Sequence, residues 1–392
     1  MDLRFSLAWH WGYVAHKERL SRGGARMILA KRGSGLLAAR FFLAAALTLH
    51  AMARISAAAT VGEVALNNAP KRQSVLEEGA KKESKLLWYT TLIVNQALKP
   101  LKEAFEKKYP FVQVAFHRAD SEQLAQRMLA EYQAKRYDVD VLDGTSTIVM
   151  LKKAGYMQRY SSPQLSAYPA RLKDPQGYWS VPTVYFMTLG YNTKLVAANE
   201  VPKTLNDLLH PKWQGKMIWS TSGGSGAPLF VGNTLITLGE EKGMAYLKQL
   251  ATQNIAKSTA SARAVLDMVI AEEFAIAINM FNYHAVISRA AGAPVDWQAI
   301  EPVPGPVKTL GLAKNSPHPH AAMLFIDFLL SKDGQKILQE ADYLPAHPDV
   351  PAKVANLKAG GGKFSKVNYL GPELLFEKEE QWVELFQKLF FK

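Results

Sequence analysis

Leu86-Leu87-Trp88-Tyr89-Thr90 reads as a short buried strand, and the residues after it decide the fold class. Leu98, Leu101, Ala104 and Phe105 recur at helical spacing, and Tyr109-Pro110 ends that helix. The unit then repeats. Val112-Gln113-Val114-Ala115-Phe116 alternates as a strand, and Ser121 is placed to cap a helix carrying Leu124, Met128, Leu129 and Tyr132. Val139-Asp140-Val141-Leu142 forms the next strand, and Asp143-Gly144-Thr145-Ser146 turns into a helix that ends near Gly155. Such β-α repetition predicts an α/β protein whose first half is a mainly parallel sheet.

Further along, the pattern persists. Lys216-Met217-Ile218-Trp219 is a strand followed by the glycine loop Ser222-Gly223-Gly224-Ser225-Gly226. Phe274-Ala275-Ile276-Ala277-Ile278 is another strand. Pro302, Pro304 and Pro306 stiffen a connection to a strand at Leu310-Gly311-Leu312, and Ala321–Leu330 is helical. The stretch from Leu374 to Phe391 carries Leu375, Phe376, Trp382, Leu385, Phe386, Leu389 and Phe390 at helical spacing, which predicts packing against the body of the protein.

The chain has 392 residues, a net charge of +13 and no cysteine. It has no disulfide, thiolate metal site, cysteine nucleophile or lipid-bearing cysteine. The basic excess is uneven. Residues 1–53 hold eight Lys/Arg and two acids, a contribution of +6, which leaves +7 for the rest. Lys31, Arg32 and Arg40 precede the apolar run Phe41–Leu49, and Ala51-Met52-Ala53 follows as a cleavage site. That order is a secretory signal peptide, with Met27 as the expected true start. The run is far below the roughly 20 residues that span a bilayer. The expected location is therefore the periplasm. The remaining charge forms no basic run, so nucleic acid is not an expected partner.

Five segments from about residue 84 to 350 carry a resemblance. They are Ala104-Phe105-Glu106-Lys107-Lys108-Tyr109-Pro110; Gly177-Tyr178-Trp179 with Gly190-Tyr191-Asn192-Thr193; Leu208-Leu209-His210-Pro211-Lys212-Trp213-Gln214-Gly215-Lys216; Gly292-Ala293-Pro294-Val295-Asp296-Trp297; and His318-Pro319-His320-Ala321-Ala322 with Phe328-Leu329-Leu330-Ser331. In order and spacing the chain resembles extracytoplasmic solute-binding proteins of ABC transporters, in the group that includes ferric-iron binders. The resemblance implies a two-lobed type II periplasmic binding protein fold, with a mixed sheet in each lobe and crossover hinge strands between them. It implies lobe one over 54–186, lobe two over 187–303, and 304–392 as the return to lobe one with the C-terminal helices. It also implies a monomer that closes on a ligand and docks to a membrane permease, with no resident cofactor and no enzymatic activity.

Three hydroxyl-rich turns suit an oxyanion: Thr90-Thr91 at a strand end, Gly144-Thr145-Ser146 at a helix start, and Ser222, Gly223, Gly224 and Ser225 in the glycine loop. Tyr185, Asn282 and Tyr283 complete the expected ligand-binding set. No nucleotide-binding glycine motif, serine elbow or zinc-protease motif occurs. Ferric iron is the competing ligand, because tyrosinate and carboxylate oxygens suit it. Iron-binding relatives carry a Tyr-Tyr pair where this chain has Asn282-Tyr283-His284, so an iron set here would draw on Tyr283, His284, Tyr185 and Asp143. A sensor partner that presents the ligand to a receptor, and an enzyme on the same fold, are the remaining alternatives.

Overall fold

In the computed structural model, residues 59–221 and 226–391 are described. The leader and the loop residues Ser222, Gly223, Gly224 and Ser225 lie outside them.

The first elements are helices α1 (Val61–Ala65) and α2 (Arg72–Glu83), strand β1 (Lys85–Thr90), α3 (Lys99–Lys108), β2 (Gln113–Arg118), α4 (Ser121–Gln133), β3 (Val141–Gly144), α5 (Thr147–Lys153), β4 (Met157–Gln158) and β5 (Ser180–Val184). Next come β6 (Met187–Asn192), β7 (Met217–Ser220), α6 (Ala227–Leu238), α7 (Glu240–Ala251), β8 (Ala256–Ser258), α8 (Ala262–Ile270), β9 (Ile276–Phe281), α9 (Asn282–Ala290) and β10 (Val295–Gln298). The chain finishes with β11 (Val303–Ala313), α10 (Pro319–Leu330), α11 (Lys332–Glu340), β12 (Leu344–Pro345), β13 (Val367–Leu370) and α12 (Pro372–Phe390).

Two mixed sheets result. The first has the order β12-β5-β11-β3-β1-β2, with β4 and β13 also paired to β11; the second has the order β10-β6-β9-β7-β8. β1 runs parallel to β2 and β3, as the repeated β-α units require, while β11 lies antiparallel to β3 and β5. The first sheet is therefore less parallel than the sequence pattern predicts, because one strand arrives late in the chain and enters its middle. Pro304 and Pro306 are not a separate connection but lie within β11, where they pair with Asn368 and Leu370 of β13. A strand accepts proline where its N–H has no ladder to serve.

There are two apolar cores: one takes in the first sheet together with Ile218, Ala277, Met280 and Trp297 of the second, and the other holds further buried side chains of the second sheet with α6, α7 and α12. Trp88 of β1, Phe105 of α3 and Phe325 of α10 meet edge-on, with ring centres 4.9 and 5.0 Å apart, in the first. Trp219 of β7 packs on Phe386 and Phe390 at 5.3 and 4.8 Å in the second. Asp120, not Ser121, is the N-cap of α4, and its N–H donates to Gln123 Oε1 at 3.5 Å. A buried ion pair from Arg72 to Asp327 ties α2 to α10.

The chain leaves the first sheet after Val184 and enters the second at Met187; it leaves the second after Gln298 and rejoins the first at Val303. The terminal helix α12 packs against both. Its first half reaches the first sheet's surroundings, where Trp179 Nε1 donates to Glu373 Oε1 at 2.9 Å and Lys153 lies over the Phe376 ring at 4.3 Å. Its second half puts Trp382, Phe386, Leu389 and Phe390 into the second core.

Candidate functional site

The carboxyl ends of β1 and β3 are neighbours because these strands are parallel. Thr91, just past β1, donates from both its N–H and its hydroxyl to Asp143 Oδ1 of β3, each at 2.9 Å. β11 lies antiparallel on the other side of β3, with Leu310 opposite Asp143 and Thr309 opposite Gly144. That register delivers Lys308 to the same place. Its Nζ lies 3.0 Å from Asp143 Oδ1 and also donates to the Thr91 hydroxyl. The Lys308 and Asp143 side chains are only 5% and 2% exposed. A buried pair of this kind persists only when its remaining donors and acceptors also find partners.

An aromatic cluster stands beside this pair. Tyr185, in the segment that crosses between the sheets, has its ring centre 5.2 Å from Phe281 and 6.4 Å from Tyr283. Tyr283 enters from the start of α9, on the second sheet, and stacks on Tyr343 at 6.2 Å, just ahead of β12 on the first. The Tyr343 phenol accepts the Ile93 N–H at 3.3 Å. Burial pushes its pKa up to about 12, with Lys308 opposing the shift. Burial likewise holds Tyr185 and Tyr283 well above the usual phenol range, reinforced at Tyr185 by the Asp143 charge and at Tyr283 by its two tyrosine neighbours. All three are neutral hydrogen-bonding phenols at neutral pH.

His284 lies against Tyr283, with ring centres 4.5 Å apart. Its Nδ1 is buried without a hydrogen-bond partner among the described residues. Burial, and then the Arg263 charge, lower its pKa to about 3. The folded state thus binds fewer protons here than the unfolded chain, whose histidine titrates near 6.5. This contribution to stability is complete above that value and is lost as pH falls toward 3. Between pH 7 and pH 5 the protein should lose roughly 1–2 kcal/mol through this group. Urea unfolding at both pH values checks it. His284→Gln should flatten the difference, and an equally steep loss in that variant would show that other groups are responsible.

The structure brings together Thr91, Tyr185 and Tyr283 of the expected ligand set, with Asp143 and His284 of the iron set beside them. Thr90, Ser146 and Asn282 have a hydroxyl or amide N–H engaged elsewhere, while for Gly144 and Thr145 it is the carbonyls that are engaged. Thr90 is fully buried, and its hydroxyl accepts the Leu92 N–H at 3.1 Å. Gly144 and Thr145 offer their carbonyls to the Thr309 hydroxyl at 3.2 and 3.1 Å. Ser146 donates to Glu379 Oε2 of α12 at 3.3 Å, and burial raises the Glu379 pKa. Asn282 is fully buried and donates to the Leu357 carbonyl at 2.9 Å.

Sequence reasoning missed Lys308, Tyr343 and Glu379. Lys308 had a signal, being the sole charge in the run Val303–Ala313. Tyr343 and Glu379 had none: Tyr343 meets the Ile93 N–H and Glu379 the Ser146 hydroxyl, each more than 200 residues away in the chain. Among the described residues there is no group of three or more His, Asp or Glu suited to a metal ion. Thr91 and Lys308 both engage Asp143 Oδ1, so a cation at this carboxylate would sit close to the Lys308 ammonium.

The sequence model for bacterial extracellular solute-binding proteins matches residues 139–368. Over 269 residues the chain is 23% identical to iron uptake protein A1 of Synechocystis sp., covering 65% of this chain and 74% of that protein. Iron-bound HitA from Pseudomonas aeruginosa superposes with a TM-score of 0.66 at 24% identity, covering 78% of this chain and 99% of HitA. The periplasmic binding protein AfuA from Actinobacillus pleuropneumoniae, with exogenous fructose-6-phosphate bound, gives a TM-score of 0.65 at 22% identity, covering 78% and 98%. At these identities the two structures establish a common fold.

Proposed function

Because the chain belongs to the bacterial extracellular solute-binding protein family and has its two-lobed α/β fold, we propose that it captures a small, polar, oxyanion-bearing solute between its two sheets for an ABC importer. It works in the periplasm after loss of its leader, as a monomer without a resident cofactor, and hands its cargo to a membrane permease.

Lys308 is the observation that carries this reading. Its ammonium has three N–H donors; Asp143 and Thr91 take two, and the third is left for a ligand. Charge-assisted bonds in a buried site are roughly twice as strong as neutral ones. The phenols of Tyr185 and Tyr283 add neutral donors and ring faces, which suits a solute bearing hydroxyls as well as an anionic group. Closure brings the two sheets' contributions together, because Tyr283 comes from one and Tyr343 from the other.

Ferric iron is the second reading, and the cluster of phenols with Asp143 favours it. HitA is iron-bound, whereas AfuA holds a sugar phosphate, so the fold serves both kinds of cargo. Against iron here stands Lys308, a buried cation 3.0 Å from the carboxylate that a trivalent ion would need.

A thermal-shift screen separates the two. Hydroxycarboxylates and phosphate esters should raise the melting temperature, by the equivalent of about 2.7 kcal/mol at a hundred times Kd. Ferric citrate should produce no visible tyrosinate-to-iron absorption. A coloured complex with iron, and silence from the anions, would overturn the oxyanion reading. Turnover of an added ester would instead indicate an enzyme.

A further inference from the structure

Helix α12 has 19 residues and is about 28 Å long. It starts at the hinge, since β13, just before it, pairs with Val303–Pro306 of β11, where the chain re-enters the first sheet. From there it meets the two lobes through different chemistry. On the first-sheet lobe the contacts are polar and come about once per turn. Glu373 accepts the Trp179 indole N–H at 2.9 Å and lies 3.9 Å from Lys152 Nζ. Lys153 Nζ stands 4.3 Å from the Phe376 ring centre, and Glu379 accepts the Ser146 hydroxyl at 3.3 Å. Water reaches this row: the Glu373 side chain is 44% exposed and Phe376 is 37% exposed. On the second-sheet lobe the contacts are apolar and dry. Trp382 seats on Gly232 of α6, and Phe386 and Phe390 pack on Trp219 of β7. The Phe390 carbonyl also accepts Lys257 Nζ of β8 at 2.8 Å.

We propose that α12 is a strap fixed to the second-sheet lobe, and that Glu373, Phe376 and Glu379 form its latch on the first-sheet lobe, made as the cleft closes and broken as it opens. The difference in chemistry decides which end lets go. Partly exposed ion pairs and cation–π contacts exchange for water at little cost, each being worth about 2- to 5-fold in an equilibrium. Parting the apolar seat would instead open cavities and wet large aromatic faces. When the lobes swing apart, the polar row therefore separates and the aromatic seat stays shut. α12 moves with the lobe that the chain has by then already left.

The latch has a functional consequence. A solute that needs the closed form binds with an apparent affinity scaled by the fraction of molecules already able to close. Contacts on the flank of the two lobes thus tune capture while leaving the groups that meet the solute unchanged. This inference rests on the two-lobed fold and not on the identity of the solute, so its failure would leave the oxyanion reading standing.

Spin-label distance measurements on the full chain, with no solute added, test it. The chain has no native cysteine, so labels go only where they are placed. Lys378→Cys, on the exposed side of α12, is paired in one sample with Leu195→Cys of the second-sheet lobe and in another with Val75→Cys on α2 of the first. Leu195 and Val75 are 47% and 42% exposed. Both pairs are measured in the parent, in the latch variant Glu373→Gln/Phe376→Ala/Glu379→Gln, and in Trp179→Phe, which removes the indole donor and keeps a ring. The Lys378–Leu195 distance should be the same in all three. The ratio of molecules at the Lys378–Val75 distance of this structure to those at other distances should fall about tenfold in the latch variant, and about 2- to 5-fold in Trp179→Phe. A Lys378–Val75 distribution that does not change would show that the polar row latches nothing. A Lys378–Leu195 distance that shifts would show that α12 is not fixed to the second-sheet lobe. Either result overturns the proposal, and Trp179→Phe decides alone if the triple variant does not fold.

Discussion

Lys308→Met should destabilise the protein by about 3–5 kcal/mol, because it leaves the Asp143 carboxylate buried without its cation. Solute capture should fall by about 10- to 100-fold or more, since a buried charge-assisted bond is worth about 1.5–3 kcal/mol. The two effects separate in the double variant Lys308→Met/Asp143→Asn. Removing both charges should recover much of the stability, since paired replacement of a buried ion pair is often close to neutral. It should not recover binding. Urea unfolding and calorimetric titration read the two quantities. A single variant that loses less than about 1 kcal/mol would mean that the pair is well solvated, contrary to its burial. A double variant that binds normally would remove Lys308 from the ligand site.

Trp382→Ala carries the other large expectation, a loss of about 3–5 kcal/mol. Trp382 is 4% exposed and seats on α6 at Gly232. A methyl group built at Gly232 would come within 2.3 Å of the indole, so the helices meet with no side chain between them. Truncating the indole opens a cavity that the backbone of α6 cannot fill by relaxing. The contacts of α12 with Trp179 and Ser146 do not involve Trp382. The damage should therefore be centred on the second core, and native-state hydrogen exchange should show α6 and α12 losing protection before β1 and β3. Equal loss across both sheets would show instead that they unfold as one unit.

Much of this architecture can be read in the residues. β1 and β3 are apolar runs ending in hydroxyl-bearing turns, and a parallel arrangement brings such ends together without further information. Tyr185 and Tyr283 were legible for a similar reason, as aromatic residues where strands end and cross. What stayed hidden depends on register. Lys308 matters because β11 inserts between β3 and β5 with Thr309 facing Gly144, and the sequence of β11 does not state its partners. The same ignorance made Thr90 and Ser146 look like ligand donors, when one hydroxyl serves its own turn and the other serves Glu379 of α12. Helical periodicity showed that α12 buries one side. It did not show that this side is divided between two cores.

That division means that the described residues begin on one core and finish on the other. Leu66, just after α1 and close to Val64 and Ala65 of the first core, is 45% exposed; Phe391, beyond α12 and against Phe386 of the second, is 56% exposed. With no native thiol anywhere in the chain, Leu66→Cys and Phe391→Cys would accept two fluorophores and nothing else would. Energy transfer between them would then read the distance from the end of α1 to the end of α12, with and without an added solute.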